Sequence, residues 1–528
     1  MEGLFKAVFV LIVALVFLRY LGSNDPVHID PVNPTDHIVL PPGVHRDVLI
    51  IGGGLAGLSA ALELVERGYN VTVKEASPML GGRLKSTEVD ILGETFRVDH
   101  GFHAWFYNYY TFKDIRHRLG INNKFQRWGA NHFRFRNYKD EVMESKGPYP
   151  LNVIATLLKS PNFKVSDIFD IVRISVFFAY YNHDTVYQRY GNITFDEWTE
   201  VEGVPTWFAD TVLRPALSVT FNERTVLNAA EILMYSHFYF TGDSKADQRS
   251  IATVDHRTAV FDPWERRLKS LGAKIETSAT VTDLRFGSDD SLVSGISPGA
   301  QRSYDHVILA ADLSAVKAIF TETSRKFPRN EHMACIQNRL QQLPMAPSYK
   351  VIRVWFNKQI SPSHPAILQT SEYHPINLVV QYHLIEKKSR EWSLRTGGSI
   401  IEFHLYAWSY GDVKDEDVWD TVSPTVREIY PEIFVEDFKR LGQFVHSGTN
   451  FASFPSSLEH IRPTVTFPSE CGVTNVNFAG DWLHTDYPSA LMERAVSTGR
   501  IAANQVLLSD HVKQVPVLVA SNYGPGYI

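Results

Sequence analysis

The residues best suited to chemistry lie at the end of the chain's first strongly apolar run. Asp47-Val48-Leu49-Ile50-Ile51 reads as a buried parallel strand, and Gly52-Gly53-Gly54-Leu55-Ala56-Gly57 follows without a break. Leu58, Ala61, Leu62 and Val65 then recur at helical spacing up to Gly68, and Val71-Thr72-Val73 makes a second strand leading to Glu75. A strand–turn–helix–strand unit of this kind binds a dinucleotide. Gly52 permits the tight turn, Gly54 lets backbone approach a pyrophosphate, and Gly57 lets helix and strand pack closely. The helix N-terminus turns free N–H groups and a positive dipole end toward phosphate. Glu75, 23 residues after Gly52, is placed to accept hydrogen bonds from both ribose hydroxyls, and its charge disfavours a 2′-phosphate.

The run continues Glu75-Ala76-Ser77-Pro78-Met79-Leu80-Gly81-Gly82-Arg83. It resembles the FAD-binding signature shared by flavin amine oxidases and carotenoid (phytoene-type) desaturases. The resemblance implies FAD rather than NAD, with Gly82 letting main chain pass close to the cofactor and Arg83 pairing with its pyrophosphate. It also implies that the chain returns twice to the same domain. The first return holds a helix over 264–271, strands near 274–277 and 304–309, and a backbone contact from Val281 to the adenine side. The second runs from Asn475 through Gly480 and Asp481 to Ser489 and Ala490, all four last-named residues belonging to the cofactor set. A helix from near Pro488 would aim its positive end at the flavin ring, with Glu493 as a structural partner.

On the substrate side, His100-Gly101-Phe102-His103 looks closest to carotenoid-modifying flavoproteins, which makes His103 a candidate catalytic residue. His100 and His103 lack a third ligand at defined spacing, so no metal is expected. Flavin amine oxidases carry a lysine that holds water near flavin N5, five residues before an aromatic. Lys350 is the candidate catalytic residue on this likeness; it precedes Trp355 by five and Phe356 by six, so one residue of slip in this strand decides which face it takes. Aromatic groups at Trp207-Phe208, Phe238-Tyr239-Phe240, Trp355-Phe356 and Tyr406-Ala407-Trp408, with an apolar helical stretch over 151–190, suit either a large core or a pocket for a long apolar molecule.

These residues need several elements to hold them, and the chain has the length for it. Its 528 residues are 44% hydrophobic and 21% charged, which is a folded protein of more than one domain. Lys+Arg 52 against Asp+Glu 58 leaves a net charge of −6, so nucleic acid is not an expected partner. The two cysteines, Cys335 and Cys471, exclude a Cys-rich metal site; they read as unrelated thiols, with one disulfide as the alternative. Residues 4–21 are apolar apart from Lys6, Arg19, Gly22 following at once, and a helix there would be about 27 Å long. A membrane anchor, a cleaved signal peptide and another targeting segment are the three readings. The prolines of 24–43 make a stiff linker behind it.

The expected fold is α/β: a Rossmann-like FAD-binding domain assembled from separated segments, an inserted α+β substrate domain and an N-terminal membrane helix. The segments are 1–22 (anchor), 23–44 (linker), 45–112, 251–315 and 471–510 (FAD-binding), 113–250 and 316–470 (substrate domain) and 511–528 (tail). The expected function is a membrane-associated, FAD-dependent oxidoreductase that desaturates a hydrophobic, carotenoid-like substrate by hydride transfer to flavin N5, or isomerises it. A quinone or dioxygen would take the electrons, and the lipid bilayer would be a partner. A flavin amine oxidase and a non-catalytic flavin-binding membrane protein are the competing readings.

Overall fold

Parallel strands from three distant stretches of chain make one five-stranded sheet. In the computed structural model, which describes residues 25–144, 159–215, 220–221, 225–286, 293–296 and 303–526, the order is Lys274–Glu276, Asn70–Lys74, Asp47–Ile51, His306–Leu309 and Val476–Phe478. Val48 to Ile51 are buried, as a central parallel strand requires. Helix Leu55–Val65 is buried along its whole length because helix Leu491–Ser509 lies against it, with Ser59 Oγ donating to the Val496 carbonyl at 2.8 Å.

A second sheet of seven strands runs Arg440–Gly448, Tyr349–Phe356, Ser399–Leu405, Ile376–Gln381, Ile367–Tyr373, Ala130–Phe133 and Glu141–Glu144. Its central strands are buried on both faces. Helix Val418–Ile429 covers one face, where Trp419, Val422 and Val426 pack on Ile352, Val354 and Phe356. The other face looks toward the nucleotide-binding sheet. Helices Ile168–Ala179, His183–Tyr190, Phe195–Val201 and Ala229–Ser236 close a third side. Thr194 and Glu197 start one of them with a reciprocal capping box, and Asn228 caps another.

Three expectations are revised. Cys335 and Cys471 are joined in a disulfide, their Cα atoms 5.7 Å apart across 136 residues. Helix Glu331–Gln342 carries Cys335 to the turn after Phe467–Glu470, where His332 Nδ1 also donates to the Cys471 carbonyl at 2.8 Å. The proline-rich linker is tied down rather than free, because Val27–Ile29 pairs antiparallel with Val517–Val519 of the tail. The helix expected from Pro488 begins at Leu491. The anchor read over 1–22 lies outside the described residues; among the described residues no helix is long and apolar enough to cross a membrane.

Candidate active site

A cavity of about 1070 Å³ runs from the glycine turn of the parallel sheet to the inner face of the second sheet. Its nucleotide arm is lined by Gly52, Gly54, Glu75, Gly82, Arg83, Val281, Gly480 and Asp481. No side chain caps helix Leu55–Val65, so its first N–H groups are left to the cavity beside Leu55 and Ala56. Gly57 stands behind this wall and does the packing work, since a Cβ there would fall 1.9 Å from the Gly52 carbonyl oxygen. Glu75 is locked in place: its two carboxylate oxygens accept from the Gly53 N–H at 2.7 Å and the Ser77 N–H at 2.8 Å. The Glu75 carbonyl in turn accepts from Ala279 N–H at 2.9 Å, which brings Val281 to the same arm.

These donors and spaces fit FAD. Gly54 and Gly82 bring two stretches of backbone close together at the cavity wall, where a Cβ on Gly82 would stand 3.3 Å from Gly54 Cα. An uncapped helix end and a carboxylate sit on either side, matching a pyrophosphate and a ribose. Arg83 is also in this wall, its guanidinium donating to Asp481 at 2.5 Å and lying 4.3 Å over the Phe451 ring. Ser489 and Ala490 are buried just before the last helix and lie outside the cavity wall. With the helix starting at Leu491, whose φ is +48°, the chain turns Leu491, Met492 and Ala495 to the cavity instead. Glu493 accepts from the Thr111 and Phe112 N–H groups at 2.6 and 3.2 Å, capping helix Tyr110–Arg118.

The second arm is apolar and aromatic, with Phe102, Phe106, Trp128, Phe133, Phe208 and Tyr239 in its wall. Of the aromatic groups expected from sequence, Phe208, Tyr239, Phe240 and Tyr406 reach the cavity, whereas Trp355, Phe356 and Trp408 pack in the cores of the second sheet. His103 is in the wall. Its Nδ1 donates to the Gly101 carbonyl at 2.9 Å, which leaves Nε2 as an acceptor. Burial, and then the neighbouring His256, push its pKa down to about 3. His256 is raised because Asp99 pairs with it at 3.1 Å. His100 turns elsewhere, stacking on His446 with ring centroids 3.6 Å apart.

Lys350 is the clear correction. Pairing Lys350 with Leu405 and Arg353 with Glu402 sets the register of the two central strands. Lys350, Ile352, Val354 and Phe356 therefore take the face covered by helix Val418–Ile429, and the Lys350 ammonium donates to Ser447 Oγ at 2.8 Å and Asp415 at 3.1 Å. It is not in the cavity wall. The inward face carries Tyr349, Val351 and Arg353, opposite residues that sequence reading passed over: Glu402 and His404, with Tyr406 just beyond the strand end. Their signal was available. Three polar groups at every second position of an otherwise apolar strand mark one buried polar face.

Comparison with known proteins agrees with this geometry. Residues 55–507 match the family described as flavin containing amine oxidoreductase. The chain is 26% identical to a carotenoid phi-ring synthase of Chlorobaculum tepidum, with 91% of each chain covered. It is 28% identical to a carotenoid phi-ring synthase of Streptomyces griseus, with 87% of each covered. Among solved structures, reduced UDP-galactopyranose mutase superposes with a TM-score of 0.61 at 14% identity, covering 88% of this chain and 96% of that one, a likeness of fold.

Proposed function

The chain belongs to the flavin containing amine oxidoreductase family and is an FAD-dependent oxidoreductase, and from that premise we propose that it desaturates the end ring of a carotenoid. The observation that carries this is the continuity of one cavity from the dinucleotide cradle into a broad apolar and aromatic arm, the one lysine among the described lining residues, Lys74, standing beside Glu75 at the nucleotide end. The two relatives named for making a carotenoid ring support the same reading.

Bound FAD supplies a two-electron acceptor for hydride. The protein's own part is to place and exclude. Gly54, Gly82, Glu75, Val281, Gly480 and Asp481 would hold the cofactor, and Arg83 fixes Asp481. Phe102, Phe106, Trp128 and Tyr239 desolvate an apolar ring and its polyene. The apolar run at 4–21 supports a body held at a membrane, where such a substrate dissolves. Helix Ile168–Ala179 adds to this, with Phe169 84% exposed and Ile174 and Phe178 in the cavity wall.

The test is anaerobic reduction of the purified, FAD-loaded protein in mild detergent. Cyclic carotenoids should bleach the flavin absorbance and lose one pair of hydrogens per desaturation by mass spectrometry. Bleaching by polyamines or aryl-alkyl amines and not by carotenoids would overturn the reading in favour of an amine oxidase.

A further inference from the structure

We propose that Tyr406 accepts a proton from the cavity and relays its own to His404, which Glu402 positions. This rests on the ring-desaturase reading, and adds the second half of that chemistry: removal of a hydride leaves a neighbouring C–H whose proton must go to some group.

The geometry reads in one direction. Arg353 Nε donates to Glu402 at 2.8 Å, and its guanidinium lies 3.4 Å over the Tyr382 ring. Glu402, fully buried, stays ionised: burial would raise its pKa, but Arg353 and the His404 bond outweigh that and lower it. An ionised carboxylate only accepts, so His404 Nε2, 2.8 Å from Glu402, carries the ring proton, and the Phe102 N–H at 3.3 Å from the same nitrogen is the longer, weaker contact that gives way. His404 Nδ1 is then the acceptor, and the Tyr406 hydroxyl donates to it at 2.9 Å. With its own hydrogen committed to His404, the phenol oxygen keeps lone pairs for a proton arriving from the cavity that Tyr406 lines. His103, the imidazole in the wall itself, donates to a backbone carbonyl rather than to a carboxylate and is the poorer acceptor.

The Asp99–Phe102 loop closes over this array. Gly101 has φ +131°, and a Cβ there would stand 3.0 Å from His404 Cε1. Tyr406 packs edge-on to Phe221, beside Phe451 over which Arg83 lies. It thus stands where the two arms of the cavity meet.

The step balances. With bound FAD as the oxidant that would accept the hydride, the adjacent C–H bond breaks and its electron pair becomes the new C=C. The proton joins Tyr406 Oη as the phenol's own proton passes to His404 Nδ1. Tyr406 ends as a phenol and His404 as an imidazolium beside the Glu402 carboxylate.

Tyr406→Phe keeps the packed ring and removes only the hydroxyl. Relative to the wild type it should lose about 10²–10⁴-fold in kcat on a cyclic carotenoid, with KM, FAD content and thermal unfolding little changed. His404→Gln, which leaves the cavity wall untouched, provides a second variant if Tyr406→Phe fails to fold, and should abolish the limb of the pH–rate profile set by the acceptor. In the resting protein, a far-downfield proton NMR signal from His404 Nε2–H should vanish in both His404→Gln and Glu402→Gln. A Tyr406→Phe enzyme as fast as the wild type, or an unchanged pH profile in His404→Gln, overturns this proposal alone. A wild type that turns over no carotenoid ends the ring-desaturase reading and this proposal with it.

Discussion

Arg83 donates to Asp481 at 2.5 Å, although 398 residues of chain separate them. The pair joins the glycine-rich first segment of the nucleotide-binding sheet to its last strand, and both residues line the nucleotide arm of the cavity. Each side chain is mostly buried, so the bond is a charge-assisted one shielded from water.

Arg83→Ala and Asp481→Asn should each weaken FAD binding by about 1.5–3 kcal/mol, read by titrating flavin fluorescence into the FAD-free protein. Because each loss includes the stranded partner, the double variant should fall short of their sum by about 0.5–3 kcal/mol. Full additivity would show that the two residues hold the cofactor independently.

Lys350→Met should leave the rate of flavin reduction within about twofold and change stability by no more than about 1 kcal/mol. Its partner Asp415 is 61% exposed, and the ammonium lies on the far side of the sheet from the cavity. A large fall in flavin reduction would place this lysine at the flavin after all.

Glu231 is the buried hub beneath the last nucleotide-binding segment. It accepts from Arg494 at 2.7 Å, Arg462 at 2.9 Å and the Tyr187 hydroxyl at 2.6 Å, and Arg462 also holds the Trp482 and Leu483 carbonyls. Glu231→Gln leaves the buried Arg494 guanidinium without its counter-charge and Arg462 with Glu459 alone at 3.4 Å, and should destabilise the protein by about 3–5 kcal/mol in denaturant unfolding.

His484 makes stability depend on pH. Burial would lower its pKa, but the bonds to Asp486 and Glu459 raise it to about 8. A raised folded-state value means that the stabilisation is fully present below the unfolded value and is lost as pH rises through the folded one. Unfolding measured between about pH 6 and 9 should therefore lose up to about 2 kcal/mol from this group. His484→Gln should remove that part of the pH dependence; a variant that keeps the wild-type slope assigns it elsewhere.

Much of the cofactor half was legible in the sequence because it is local. The strand, the Gly52–Gly57 turn, the helix and Glu75 lie within one short run of chain, and period and glycine spacing report on backbone geometry directly. Gly480 and Asp481 were found through resemblance of a short motif. The start of the last helix was placed too early, since a single left-handed residue, Leu491, sets which side chains meet the cavity.

What tertiary structure alone decided is which face each strand shows and which remote groups meet. Lys350 and Arg353 alternate across one strand, and only pairing with the Ser399–Leu405 strand settles that Arg353, Glu402 and His404 look inward. The disulfide, the Arg83–Asp481 pair and the Arg353–Glu402 pair all join residues through packing rather than spacing. Side chains in a sheet reverse face at every step, so local pattern fixes the alternation and leaves the choice of face to the neighbours.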